Sequence, residues 1–157
     1  MPVYSFTVRK AKPEDAPAII DILQEAFTKY MEDTGLTGTM AALDENIEEA
    51  TAAINSCEVF IAYVNDVPVG TIRFEIEGDI AHISRFGVSL DYHNIGIGKS
   101  LMNLIDAEIH ELGLKEAYLY SASSYTDLIR FYYGRGFYVE STTTDRGYVR
   151  AKLVKEY

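Results

Sequence analysis

Cysteine is nearly missing from this 157-residue chain, in which Cys57 stands alone. No intramolecular disulfide can form, and no positively charged leader running into an apolar stretch follows Met1, so a reducing, cytoplasmic setting is expected. Long apolar runs are missing as well. Nothing approaches the roughly 20 consecutive apolar residues that span a bilayer, and the expectation is a soluble protein with no membrane partner. Basic residues are few: 14 Lys and Arg against 24 Asp and Glu give a formal net charge of −10, which repels nucleic acid. Such a surface keeps a protein in solution and also draws in cations, an amine among them. Apolar residues are plentiful, at 48%, enough for a core without staples, and the length suits one domain over residues 1–157.

The patterning predicts a mixed fold. Residues 6–9 alternate like a short strand, and Pro13 is suited to a first helical turn. Ala16, Ile19, Ile20, Leu23, Phe27 and Tyr30 then repeat with the spacing of one buried helical face, stopping near Gly35. After a loop rich in Thr and Gly, Asp44 is a candidate cap for a second helix with Ile47, Ala50 and Ile54 on one face. Residues 59–64 form a continuous apolar strand, Asn65-Asp66 a turn, and residues 69–77 alternate Ile72, Phe74 and Ile76 against Arg73, Glu75 and Glu77. Strands over 80–89 and 117–120, helices over about 97–112 and 126–134, and strands from Phe137 and over 148–154 complete the chain. The order β-α-α-β-β-β-α-β-α-β-β describes an α+β domain, a mostly antiparallel central sheet flanked by helices.

One junction carries more information than the rest. Tyr92-His93-Asn94-Ile95-Gly96-Ile97-Gly98-Lys99-Ser100-Leu101 follows the strand residues Phe86-Gly87-Val88 and reads as strand, tight turn, helix start. Two glycines there leave several N–H groups pointing outward at the positive end of a helix dipole, a place for a phosphate. A P-loop would need glycine at His93, and a dinucleotide fingerprint would need glycine at Leu101. Neither pattern is met. The segment resembles motif A of the GNAT acyltransferase superfamily, R/Q-x-x-G-x-G/A, with His93 at the Arg/Gln position. A second segment, Leu128-Ile129-Arg130-Phe131-Tyr132-Tyr133-Gly134-Arg135-Gly136-Phe137, is similar to that family's A-I-x-L-Y-x-K-x-G-F, and the element order is that of the GNAT fold.

The resemblance implies an N-acetyltransferase that takes acetyl-CoA as co-substrate, needs no metal, and acetylates the primary amine of a small molecule by direct attack in a ternary complex. It implies a cleft where the strands holding Phe86 and Tyr118 splay apart. Phe86, Gly87 and Val88 would pair with the pantetheine arm, and the loop of His93, Asn94, Ile95, Gly96, Ile97, Gly98, Lys99 and Ser100 would hold the pyrophosphate. Tyr125 stands where the family has an asparagine that touches pantetheine. Leu128 replaces alanine, Asn94 glycine and Gly134 lysine, with Arg135 as a substitute cation or a plain helix-end charge. Tyr132 matches the tyrosine that faces the departing sulfur.

Acyl transfer needs a neutral amine, and deprotonating a lysine-like ammonium at pH 7 costs about 4.6 kcal/mol. His82 stands where some members carry a glutamate base, and an ordinary imidazole value near 6.5 suits that work; Glu75, Glu77 or a water chain are the alternatives. Phe27, Tyr30 and Met31 are candidates to line the acceptor pocket, although Phe27 and Tyr30 also belong to the buried stripe. Cys57 lies away from both motifs, which argues against an acyl-cysteine step. The rival reading is a non-catalytic acyl-CoA-binding regulatory or sensor domain. A homodimer is an open possibility, through the final strand or the apolar helix faces.

Overall fold

Asn65 and Asp66 both adopt positive φ, 48° and 68°, the double left-handed step that closes a two-residue hairpin with the twist of its strands. The computed structural model, which describes residues 5–38 and 40–157, builds outward from that hairpin. The elements are β1 (Phe6–Lys10), a 3-10 turn (Pro13–Asp15) leading into α1 (Ala16–Thr34), a single turn α2 (Ala41–Asp44), α3 (Ile47–Ser56), β2 (Glu58–Val64), β3 (Val67–Glu77) and β4 (Ile80–Val88). They continue with α4 (Ile97–Glu111), β5 (Glu116–Ala122), α5 (Thr126–Tyr133), β6 (Tyr138–Thr143) and β7 (Arg150–Glu156). The seven strands form one sheet in the order β1-β2-β3-β4-β5-β7-β6. Every neighbouring pair is antiparallel except β4 and β5.

Helices cover both faces. A side chain on Gly70 would run into Ile97 and Leu101 of α4, whereas one on Gly87 would lie 2.9 Å from Ala26 of α1. Gly70 and Thr71 oppose Val88 and Gly87 in successive rungs, so these two contacts lie on opposite faces of the sheet. The larger core, with Phe60, Ile72, Phe74, Leu101, Ile105 and Leu153, sits on the α4 side. A smaller cluster of Ile19, Leu23, Val59 and Ile61 sits under α1. Asp15 fastens the start of α1 to the first two strands, β1 and β2. Its carboxylate accepts two bonds from Arg9, at 2.8 and 3.1 Å, one from the Lys12 amide at 2.7 Å and one from the Tyr63 hydroxyl at 2.7 Å. Burial alone would raise its pKa, but these donors outweigh it and hold Asp15 at about 2.

Four details correct the sequence reading. The cap of the second long helix is Asn46, not Asp44: Asn46 accepts from the Glu49 amide at 2.8 Å while Glu49 reaches back to the Asn46 amide, a complete capping box. Ile47, expected on the buried face, is 51% exposed, because Ala50 makes the close approach instead. Ile22, which the stripe omitted, is buried because the space left by Gly87 lets α1 settle onto β4. The alternation in β3 has the right period, but Ile76 is exposed and Arg73 is buried. Arg73 is held by Glu45 in a two-pronged ion pair at 2.9 and 2.8 Å, and Arg85 adds a third bond to the same carboxylate at 3.3 Å.

Candidate active site

The site begins where a strand pair fails. β4 and β5 are joined only at Ile80–Glu116, Ala81–Ala117 and His82–Tyr118, and beyond that rung they part. Arg85 helps to part them. It takes a left-handed conformation, φ 53°, at the place where the β3–β4 register slips, so that the last three residues of β4 follow a bulge. Phe86, Gly87 and Val88 then line a cavity of about 440 Å³, closed by α1, the loop after β4, the start of α4, and α5.

That loop is built for exposed amides. Glu25 of α1 anchors its beginning, accepting from the Leu90 amide at 2.7 Å and from the Ser89 hydroxyl at 3.1 Å. The His93 ring lies 3.0 Å from the Val88 carbonyl, and the His93 amide donates to the Leu90 carbonyl at 3.4 Å. Asn94, at φ 67°, and Gly96, at φ 91°, bend the chain into α4. No side chain caps the helix, and its first internal bond runs from the Ser100 amide to the Gly96 carbonyl. The amides of Ile97, Gly98 and Lys99 therefore have no partner inside the helix. His93, Asn94, Gly96, Ile97, Gly98 and Lys99 all line the cavity. Ile95 packs against the core, and Ser100, whose amide is already engaged, does not line the cavity.

The opposite wall comes from α1 and α5. Tyr30 stacks on Tyr125, centroids 5.3 Å apart, and the Tyr125 hydroxyl donates to Asp33 at 2.8 Å. Burial and that bond push the Tyr125 phenol up to about 12. The Tyr30 hydroxyl accepts from the Ala122 amide at 2.7 Å, so this side chain bridges α1 to the end of β5 across the parting. Phe27 and Tyr30 line the cavity; Met31 does not. Ala26, Lys29 and Phe131 also line it and were not anticipated as site residues. They lie on faces that spacing assigns to core or solvent, and only the packing of α1 and α5 against the parted strands brings them together.

Tyr132 and His82 both lie outside the cavity lining. Tyr132 is 4% exposed, its ring set among Phe131, Phe137 and Phe86 at 5.7, 5.9 and 6.4 Å. Burial pushes its phenol well above the ordinary value, and Tyr30 adds a smaller upward pull. His82 sits at the last rung before the strands part, its ring stacked on Tyr118 at 4.4 Å and its Nδ1 3.5 Å from Glu77. The Tyr118 hydroxyl donates to the same carboxylate at 2.8 Å. With Nδ1 turned to Glu77, the other ring nitrogen, Nε2, is the one left to accept a proton. Burial draws His82 below its usual value, against an opposing pull from Glu77 and Glu75.

Among the described residues no helix is long and apolar enough to cross a membrane, and no group of three or more His, Cys, Asp or Glu side chains is arranged to hold a metal ion. Comparison with known proteins gives one consistent answer. A Bacillus subtilis (strain 168) protein described as an acetyltransferase is 26% identical over 72 residues; the match spans 46% of this chain and about half, 49%, of that protein. In fold, the chain resembles the PaiA N-acetyltransferase of Thermoplasma acidophilum solved with coenzyme A: TM-score 0.86, 22% identity, 98% of this chain and 99% of that one. It also resembles YncA of Salmonella typhimurium, solved with acetyl-CoA, at TM-score 0.76 and 16% identity over 97% of this chain and 94% of that one. Residues 17–137 match the model of the acetyltransferase (GNAT) family, and the chain belongs to that family.

Proposed function

We propose that this chain moves an acetyl group from acetyl-CoA to the primary amine of a small molecule, by direct attack while both substrates are bound. The reading is carried by the three unpartnered amides of Ile97, Gly98 and Lys99, which open the α4 dipole onto the cavity beside the parted strands. A pyrophosphate fits that place: oriented N–H groups and the positive end of a 15-residue helix favour an anion within a molecule of net charge −10. Lys99 adds a cation at the rim, and the free edge of β4 at Phe86 to Val88 offers main-chain groups to an extended pantetheine arm. Coenzyme A and acetyl-CoA in the Thermoplasma and Salmonella structures support the same assignment.

When bound, the thioester supplies the activated acyl carbon. The ammonium first gives a proton to His82 or to water; the neutral amine nitrogen then forms its bond to that carbon as the carbon–sulfur bond breaks, and its next proton passes to the departing thiolate. The family resemblance gives Tyr132 the task of steadying the departing sulfur, from a position behind Phe86 and Phe131 of the cavity wall. Because burial makes its phenol a weaker acid than usual, full proton transfer to a thiolate of ordinary pKa near 8.5 is uphill by more than about 2 kcal/mol, and a hydrogen bond is the better role. Calorimetry with coenzyme A and thiol release against a panel of amines test the reading together. We expect Tyr132→Phe to bind coenzyme A as the parent does and to release thiol about 10- to 100-fold more slowly. Coenzyme binding with no thiol release from any amine would instead indicate a non-catalytic binding module.

His82 makes a separate prediction. A base must be neutral to act, and with its pKa lowered His82 gains its proton only as the pH falls below about 6.5. The pH profile of kcat/KM is expected to climb along a limb below that value and to lose the limb in His82→Gln, with a plateau lower by about 100-fold. A variant that keeps the limb would assign proton removal to water.

A further inference from the structure

Arg150 opens β7 and lies directly across from Ala122, the last residue of β5. The Ala122 amide donates to the hydroxyl of Tyr30, and Tyr30 is part of the cavity wall. The guanidinium is thus one cross-strand step from the cleft, close enough for its charge to act on the Tyr30 phenol. Its side chain is only 12% exposed and rests over the ring of Tyr120 at 4.3 Å.

The partners of Arg150 do not match its burial. Among the described residues its carboxylate contact is Asp145, at 3.4 Å and itself 60% exposed, and its Nε is buried with no hydrogen-bond partner. Arg73 and Arg9 each have a carboxylate gripped by two nitrogens at 2.8 to 3.1 Å. Arg73 and Arg135 also bury an unpartnered Nε, but Arg73 has its two-pronged carboxylate, and Arg135 lies in a separate small pocket with Asp106 and Lys155. Among the described residues Arg150 alone combines weak pairing with a place one step from Tyr30, a candidate to line the acceptor pocket. A planar fork of five donors is shaped for a carboxylate, and a desolvated fork whose one carboxylate contact stands at 3.4 Å on an exposed side chain has donors left to hold an anion.

We propose that Arg150 is the subsite for a carboxylate on the acceptor, so that the preferred substrate is an amine of amino-acid type instead of a plain alkylamine or diamine. This rests on the acetyl-transfer reading above and adds the substrate class to it. The guanidinium supplies local attraction that the net charge does not, and holding the acid group fixes the direction from which the nitrogen meets the thioester.

Matched acceptors test it: lysine against 1,5-diaminopentane, and β-alanine against propylamine, each with saturating acetyl-CoA and thiol release as the readout. The carboxylate-bearing member is expected to have the higher kcat/KM by about 10- to 100-fold, the range for a hydrogen bond to a charged group. In Arg150→Gln that ratio is expected to fall to near one, mostly through KM, with coenzyme A affinity unchanged; Arg150→Lys, which keeps the charge and loses the fork, should fall between. Plain amines turned over as well as their acids, or a ratio indifferent to Arg150, would overturn the inference and leave acetyl transfer standing. Failure of the parent chain to bind coenzyme A or to release thiol with any amine would remove both.

Discussion

Glu45→Ala is expected to destabilise the fold by about 3–5 kcal/mol, the cost of removing one partner from a buried ion pair. Arg73 is 6% exposed and would keep its charge while losing both of its close oxygens; its Nε already has no partner. Arg85 would lose its bond to the same carboxylate. For a domain of this size the total stability is about 5–15 kcal/mol, so the variant would sit near the edge of folding. Urea unfolding at pH 7, comparing midpoints at an unchanged slope, measures the loss. Glu45→Gln keeps an acceptor but not the charge and should fall between parent and alanine variant. Replacing Glu45 and Arg73 together with apolar residues of similar volume should recover much of the loss, because no lone charge is then left inside. The exposed pair Lys29–Asp33, one helical turn apart, is the contrast: Lys29→Ala should cost no more than about 0.5 kcal/mol. Equal, small losses for Glu45 and Lys29 would mean that water reaches the Arg73 guanidinium.

The same triad marks where reading the sequence stops. Alternation through residues 69–77 identified a strand and its two faces, but it treated Arg73 as solvent-facing because its partner lies 28 residues earlier, at the close of a one-turn helix. Nothing local announces that pairing. Arg85 carries no signal either: a left-handed residue is usually foreshadowed by glycine or asparagine, and an arginine held there by a bulge and a distant carboxylate is not. The capping box at Asn46 is a different case, since a Glu three residues after an Asn is a legible local signal, and Asp44, followed three residues on by Ile47, lacks it. The glycine loop was readable because an anion held by main chain leaves its mark as spacing, Gly96 and Gly98 at a strand-to-helix junction. The wall opposite is legible only in part: Phe27, Tyr30 and Tyr125 stand among the expected site residues, whereas Lys29 and Phe131 reach the cleft through the packing of α1 and α5.

Gly96→Val puts the reading of that loop at risk most directly. Gly96 adopts φ 91° immediately before α4, a conformation that glycine takes freely and a β-branched residue does not. A Cβ there would meet nothing within 4 Å, so crowding is not the obstacle; the strain lies in the backbone alone and is relieved only by turning the peptide that leads into α4. The amides of Ile97, Gly98 and Lys99 would turn with it. Affinity for coenzyme A is expected to drop by about 10- to 100-fold, matching roughly 1–3 kcal/mol of backbone strain. Lys99→Ala removes an exposed cation near the same place without touching the turn, and a loss of only about 3- to 5-fold is expected from it, of the size of a screened surface charge. Calorimetric titration of both variants separates the two contributions. An affinity that survives Gly96→Val and collapses in Lys99→Ala would assign the anion to a side chain instead of to the helix end, and the cradle of free amides would then no longer explain why the cavity opens where it does.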